Sequence, residues 1–430
     1  MTDAENRTAD RLCARYWIET AYPLQQAAEI MAGEQSTGTF TRVAGETDEL
    51  REKHGARIEQ IDELETVSAP SLPGAGLPGR ADTGRRYRRA EVTLSWPVAN
   101  MGLSLPNVLS TVAGNLFELK PFSGLRLLNV SFPPEFLDAY RGPQFGISGT
   151  RELCAVSERP IIGTIIKPSV GLSPADTANL VRTLVEGGID FIKDDELQSD
   201  GAHCPFVQRL EAVSRVINEN ADKTGKKVMY AINITGEIDE MLQRQEMVYL
   251  RGGSCVMVSL NSIGLPAMNA LRRQCQVAIH GHRNGWGIYG RSPAIGMSYI
   301  AYQKFWRIAG VDHLHVNGLQ NKFCEEDSSV IASARECLRP MFPHPNRGCE
   351  VMPVFSSGQS AKQAPATYEA LGSTDLIFAC GGGVMAHPQG VAAGVRSLKQ
   401  AWEAAVAGIP LSDYAATRPE LRVALDRFAA

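Results

Sequence analysis

The sequence predicts an α/β fold in which a C-terminal (β/α)8 barrel, residues 146–430, follows a smaller N-terminal α+β domain, residues 1–145. Three observations carry this expectation. From about Ile161 onward, short apolar runs alternate with amphipathic helical segments, the pattern of successive βα units. The runs number eight, as a closed TIM-type barrel requires, and they occupy about 250 residues, the usual length of such a barrel. Before residue 145 that alternation is missing, and strand and helix patterns mix around the Pro/Gly-rich stretch Ser71–Gly84.

The expected strands are Ile161–Ile166, Ile189–Lys193, Lys227–Ile232, Cys255–Leu260, Val277–His280, Val311–Val316, Val351–Phe355 and Asp375–Cys380. The helix after the first strand has Ser173 as N-cap and Pro174 at its first position, where a missing N–H costs nothing. Its apolar stripe is Leu180, Val181, Leu184 and Val185, and Gly187-Gly188 stops it. The last helix carries Val391, Val395, Leu398, Trp402 and Val406 at helical spacing, a stripe for core packing. Gly74-Ala75-Gly76-Leu77-Pro78-Gly79 matches the dinucleotide pattern G-x-G-x-x-G. Prolines flank and interrupt it and no helix opens at its end, so it is rejected as a phosphate loop.

Apolar content of 44% and charged content of 21% suit a globular protein with a sizeable core. A net charge of −4 leaves no footprint for nucleic acid or an anionic membrane. The one basic cluster, Arg80, Arg85, Arg86, Arg88 and Arg89, reads as a solvated hairpin edge. Nine cysteines without paired spacing argue for reduced thiols. Residues Met1–Asp10 lack the apolar core of a signal peptide, and no run approaches the roughly 20 apolar residues that span a bilayer. The expected location is the cytoplasm.

Polar residues crowd the ends of the expected strands, where a barrel of this kind places its active site. Along Gly188–Glu196, side-chain alternation puts Lys193 and Asp195 on one side, with Glu196 at the turn beyond. Two carboxylates suit a hard cation such as Mg²⁺. An ammonium repels a cation, but a lysine that has added CO₂ is a carbamate, an anionic oxygen ligand. From this window alone, a lysine bridging surface carboxylates reads equally well. His280 and His282 could suggest a transition-metal site. With His280 still inside the fifth strand and Arg283 adjacent, an anion site after that strand is preferred. His313 and His315 point the same way from the sixth strand, and a glycine triplet follows the eighth.

The run Gly163-Thr164-Ile165-Ile166-Lys167-Pro168, then Gly171-Leu172-Ser173-Pro174 and Lys193-Asp194-Asp195-Glu196, resembles the ribulose bisphosphate carboxylase (RuBisCO) superfamily. So do His282-Arg283, Asp312-His313-Leu314-His315 and Gly381-Gly382-Gly383 with His387-Pro388, in the family's order and rough spacing. The resemblance runs from about Glu34 to about Ala407. It implies Mg²⁺ held by Asp195, Glu196 and a CO₂-carbamylated Lys193. It implies Lys167 as the lysine that moves a proton between substrate carbon and solvent, and Lys322 as the mobile-loop lysine that steers a carboxyl group. His282 joins these as a catalytic residue. Arg283 and His315 would bind an anionic end of the substrate, Ser356 a hydroxyl, and Gly358, Gly381 and Gly382 a phosphate through backbone N–H groups. Glu34, Thr39 and Asn115 match residues that the family inserts into its partner subunit's barrel, which implies a homodimer with shared active sites.

The chain also departs from the family's carboxylases. Lys167-Pro168-Ser169 lacks their second lysine, Phe40 replaces a tryptophan, Trp286 replaces a histidine, and the loop Val316–Lys322 differs. An intact metal centre with an altered substrate end resembles the RuBisCO-like (type IV) branch and makes ribulose bisphosphate carboxylase activity improbable. Within that branch, the expected activity is a metal-dependent lyase forming an enediolate from a phosphorylated sugar acid, 3-oxo-isoapionate 4-phosphate, as decarboxylase or transcarboxylase/hydrolase. Retention of the CO₂-handling Lys322 favours it. The alternatives are a methionine-salvage enolase or isomerase on a methylthio-sugar phosphate, with Trp286 packing the methylthio group, and a non-catalytic stress or regulatory protein.

Overall fold

The computed structural model describes residues 10–38, 43–75, 86–344 and 347–428. They form two compact units: one contains the chain up to Tyr140 together with Gly285–Phe305, the other Arg141–Asn284 and Trp306 onward.

The first four strands, β1 (Arg11–Thr20), β2 (Arg57–Val67), β3 (Tyr87–Pro97) and β4 (Phe122–Ser131), are long and antiparallel, with β1 between β3 and β4. β1 buries Leu12, Ala14, Tyr16 and Ile18 by period-two alternation, while β2 is the mostly exposed edge. Of the basic cluster, Arg80 and Arg85 lie outside the described residues. Arg88 and Arg89 lie on β3, where Arg89 pairs with Glu19 and Glu65.

The second unit is an eight-stranded closed parallel barrel. Its strands are β5 (Ile161–Ile165), β6 (Phe191–Lys193), β7 (Met229–Asn233), β8 (Cys255–Ser259) and β9 (Ala278–His282), then β11 (His313–His315), β12 (Met352–Phe355) and β13 (Ile377–Ala379). Between β9 and β11 the chain makes β10 (Ile295–Met297), which leaves the barrel and pairs in parallel with β4 of the first unit. The expected strands are all present, with ends shifted by a residue or two. The largest consequence is that β9 extends through His282, so this histidine is the strand's last residue and does not follow it as expected.

The inward residues of each barrel strand change character along its length. Ile161, Phe191, Met229, Cys255, Ala278, Met352 and Ile377 open seven of the strands and pack with Cys154 and Val156 into one apolar cluster. Two to six residues later the same parity is polar: Lys167, Lys193, Asn233, His280, His282, Ser356. One end of the barrel is therefore apolar core and the other carries polar side chains.

The helix Pro174–Glu186 starts with the expected Ser173, in a reciprocal capping box with Asp176, and buries Val181, Leu184 and Val185. The helix Val391–Ala407 buries Val395, Leu398 and Trp402 as expected, but Val406 is 43% exposed. The buried face closes instead on Ala404 and Ala405 before Gly408 ends the helix, and two further helices, Leu411–Ala415 and Pro419–Arg427, follow it. All nine cysteines are free, and Cys324 is the exposed one. No helix among the described residues is long and apolar enough to cross a membrane.

Candidate active site

The C-terminal ends of β5, β6, β9, β11, β12 and β13 carry the residues singled out in the sequence. Lys167, two residues beyond β5, places Nζ 2.5 Å from Asp195 Oδ2 and 2.9 Å from Ser169 Oγ. The position where the resemblance calls for a second lysine is thus a hydroxyl that touches the first. Gly381 packs beside the Lys167 stem, a Cβ there lying 3.7 Å from Lys167 Cε.

Lys193 is fully buried at the end of β6. Its Nζ donates to Asp194 O at 2.7 Å and reaches Glu196 Oε2 at 3.3 Å. Burial lowers its pKa, opposed by the charges of Glu196, Asp195 and Asp194. Glu196 also faces His282 Nε2 at 3.5 Å. The His282 pKa is pushed down to about 4 by burial, with Lys193 acting in the same sense and Glu196 opposing. His282 is therefore neutral at neutral pH.

Three groups that the sequence analysis passed over hold this strand end. Asp194 points away from Lys193 and accepts from Arg209 Nε at 3.1 Å, Asn233 N at 2.9 Å and the Tyr230 hydroxyl. Asn233, at the end of β7, donates to the carbonyls of Asp195 and Glu196 at 3.4 and 3.2 Å. Inward parity along β7 marks Asn233 and Asp194 lies inside the motif Lys193-Asp194-Asp195-Glu196, whereas nothing local marks Tyr230.

At β9 and β11 the histidines form a chain. His280 Nε2 meets His315 Nε2 at 2.7 Å, and His315 Nδ1 meets Ser356 Oγ at 2.9 Å. The His282 ring lies 4.5 Å from that of His315. Arg283, 7% exposed, is bonded to Glu325. Lys322 is exposed on the segment after β11, its backbone N about the reach of a Cβ from Gly358. Gly358 has φ +84°, and Gly383 abuts the Gln359 carbonyl so closely that a Cβ would sit 2.5 Å from it. The two glycine segments therefore adjoin, and Gly381 and Gly382 lie on the second of them.

Of the first-unit residues, Glu34 ends the helix Leu24–Glu34 and Asn115 opens the 3-10 turn Asn115–Glu118. Gln35 ties the two together: with its amide turned so that the oxygen faces Asn115, it accepts from Asn115 N at 3.0 Å and donates to Thr111 O at 3.1 Å. Thr39 and Phe40 lie outside the described residues. Trp286 packs within the first unit on Tyr299 and Tyr302, ring centroids 5.1 and 4.8 Å away.

The donor set bears on the implied cation. Among the described residues no three His, Cys, Asp or Glu side chains converge as metal ligands. Asp195 and Glu196 supply two carboxylates, and Lys193 stands beside them, buried and shifted toward the neutral amine that CO₂ requires. With a carbamate at Lys193 the set becomes three anionic oxygen ligands, which fits Mg²⁺.

A family model described as ribulose bisphosphate carboxylase large chain, catalytic domain, matches residues 146–428, and the N-terminal domain model of the same chain matches residues 3–136. A relative from Xanthobacter autotrophicus, named 3-oxo-isoapionate-4-phosphate transcarboxylase/hydrolase, is 56% identical over 417 residues, 97% of this chain and 99% of its own. A Rhizobium rhizogenes protein named 3-oxo-isoapionate-4-phosphate decarboxylase is 42% identical over 416 residues, 96% of this chain and 97% of its own. The crystal structure of a rubisco-like protein from Burkholderia fungorum aligns with a TM-score of 0.89 at 46% identity, covering 97% of this chain and 100% of that one. Matched by both domain models, which together span nearly its whole length, the chain belongs to the ribulose bisphosphate carboxylase large-chain family.

Proposed function

We propose that this chain is a Mg²⁺-dependent, enediolate-forming RuBisCO-like enzyme that acts on 3-oxo-isoapionate 4-phosphate as a transcarboxylase/hydrolase. The observation that carries this reading is the full-length similarity to the Xanthobacter enzyme of that name. The chemistry at the strand ends supports it. Loss of CO₂ from a β-keto acid leaves its electron pair in an enediolate, returning CO₂ to the neighbouring carbon makes a new β-keto acid, and water then cleaves that acid into 3-phosphoglycerate and glycolate.

Asp195, Glu196 and carbamylated Lys193 would hold Mg²⁺, which when bound supplies Lewis-acid stabilisation of negative charge on the substrate oxygens. Lys167, positioned by Asp195 and Ser169, moves the proton at the reacting carbon. Lys322 steers CO₂, and His282 contributes to the chemistry as a neutral imidazole. Arg283 and His315 hold an anionic end of the substrate, Ser356 a hydroxyl, and Gly358, Gly381 and Gly382 the phosphate. Glu34, Thr39 and Asn115 complete the site of a partner subunit in a homodimer, in the cytoplasm.

The test is a product assay with 3-oxo-isoapionate 4-phosphate, Mg²⁺ and bicarbonate, with Lys193→Ala as control. Formation of 3-phosphoglycerate and glycolate is expected. CO₂ with a four-carbon ketose phosphate would replace the reading by decarboxylation. No turnover would overturn both and favour a methylthio-sugar phosphate, although the Trp286 indole is already packed by two tyrosines. Shared sites predict that mixing inactive Glu34→Ala and Lys193→Ala subunits restores activity; mixtures as inactive as their parts would remove the dimer from the proposal.

A further inference from the structure

Arg283, which the proposed function assigns to a substrate anion, is engaged by a carboxylate of the chain itself. Glu325 Oε2 accepts from Arg283 Nη2 at 2.6 Å and from Asn317 Nδ2 at 2.6 Å, while Oε1 accepts from Ser329 Oγ at 3.1 Å. The Arg283 and Glu325 side chains are only 8% and 13% exposed, so the pair is a desolvated, charge-assisted contact and not a solvated surface bridge. Asn317 is itself fixed, accepting from Ser357 Oγ at 2.9 Å with a left-handed backbone of φ 69°. Through Ser357 the contact adjoins Ser356 and His315, two further residues of the proposed substrate site.

The position of Glu325 in the chain gives this contact a consequence. It lies three residues after Lys322, on the segment between β11 and the helix Asp327–Leu338. Two anions cannot share the same guanidinium edge at hydrogen-bond distance without strong repulsion. An anion arriving at the Arg283 edge therefore displaces Glu325, and the segment that carries Lys322 loses an anchor.

We propose that Glu325 is a specificity-determining residue, an internal stand-in for the anionic end of the substrate, and that its displacement couples filling of the anion site to release of the Lys322 segment. The inference rests on the reading of Arg283 as an anion-binding residue. A phosphoryl group carries close to two charges at neutral pH and three acceptor oxygens. It competes with a single carboxylate where a neutral sugar end does not, so the latch selects for a highly charged substrate end.

Titration calorimetry of the full-length protein with inorganic phosphate tests this in three variants. Glu325→Gln removes the competing charge and is expected to bind phosphate about ten-fold more tightly than wild type, the scale of one charge-assisted hydrogen bond. Glu325→Asp keeps the charge on a shorter arm and is expected to show a smaller gain in the same direction, which covers an amide variant that fails to fold. Adding Arg283→Ala to Glu325→Gln is expected to abolish the gain. Unchanged or weaker binding in both Glu325 variants, with binding still lost when Arg283 is removed, overturns the latch and leaves the anion site standing. A gain that survives removal of Arg283 overturns the anion-site reading and the latch with it.

Discussion

The two ends of the barrel bury charge to opposite effect. Asp190, immediately before β6, accepts from both Arg159 Nη atoms at 2.5 and 2.9 Å, from Ile162 N at 2.9 Å and from Lys226 Nζ. Asp312, immediately before β11, accepts from Phe145 N, Gly146 N, Arg272 Nη1 and Ile279 N at 2.6 to 3.1 Å. Both carboxylates are fully buried and their acceptor capacity is used. Three residues beyond Asp190, Lys193 is equally buried, yet its closest carboxylate contact is 3.3 Å. Nearby, His280 Nδ1 has no hydrogen-bond partner among the described residues, and the Lys167 side chain is 41% exposed. Burial with complete pairing makes structure. Burial with spare capacity leaves room for a ligand to complete the pairing, and that separates the chemical end from the structural one on the same strands.

The largest effects test that division directly. Lys193→Ala is expected to lower kcat by about 10²–10³-fold or more, as loss of a charge-stabilising centre does. It should leave the urea midpoint unchanged or raised, because it removes an imperfectly paired buried amine. Asp190→Ala should do the reverse: a loss of about 3 kcal/mol in unfolding free energy, with kcat per folded molecule retained. Burial alone would raise the Asp190 pKa, but the bonds and charges of Arg159 and Lys226 outweigh it and hold it below the ordinary carboxylate value. Its contribution is therefore present above about pH 4 and lost as pH falls through its folded pKa. If Lys193→Ala unfolds the protein and Asp190→Ala only slows it, the comparison is wrong.

Much of this division could be read from the sequence, because strand alternation is local. The eight apolar runs and the polar residues at their ends follow from period-two patterning within five or six residues. What could not be read is non-local. β10 is three residues long with Gly296 at φ +110°, and its pairing with Leu125–Leu127 on β4 joins segments some 170 residues apart. The second expected strand begins at Phe191 and not Ile189, although Asp190 N still donates to Ile162 O at 3.0 Å. The site divides in the same way. Lys167, Lys193, Asp195, Glu196, His282 and His315 belong to family motifs, whereas the carboxylate of Glu325 on Arg283 depends on a contact across 42 residues. In the sequence, Glu325-Glu326-Asp327 is indistinguishable from a solvated charge run. Thr39 stays a matter of resemblance, and Glu34 and Asn115 gain only their mutual proximity through Gln35.

A middle-sized effect concerns acid. His313 is fully buried, bonded to Thr150 Oγ1 at 2.9 Å, and burial pushes its pKa down to about 4, against a weaker opposing pull from Asp312. A histidine with a lowered folded pKa favours the native state above its unfolded value near 6.5 and loses that advantage as pH falls toward 4. This residue alone accounts for a loss of about 2 kcal/mol between pH 7 and pH 5. His280 and His315, lowered further by burial, add in the same sense. Urea midpoints across that window should fall in the wild type and fall less in His313→Gln. The window lies above the one in which Asp190 acts, so the buried histidines and Asp190 lose their contributions at different pH. A single transition below pH 4 would erase the distinction.

The smallest effect is the finest test of the chemical end. Ser169 replaces a lysine of the carboxylase pattern, and its hydroxyl is 2.9 Å from Lys167 Nζ, while Asp195 holds the same nitrogen from the other side. Removing one hydrogen bond at a half-exposed group is worth about 1 kcal/mol, so Ser169→Ala should lower kcat about five-fold. Stability should not move, since Ser169 is partly exposed and Lys167 can turn to water. Ser169→Thr keeps the hydroxyl and should restore most of the rate. A Ser169→Ala enzyme with unchanged kcat would mean that Asp195 alone positions Lys167, and that the departure from the carboxylase pattern at this position has no catalytic consequence.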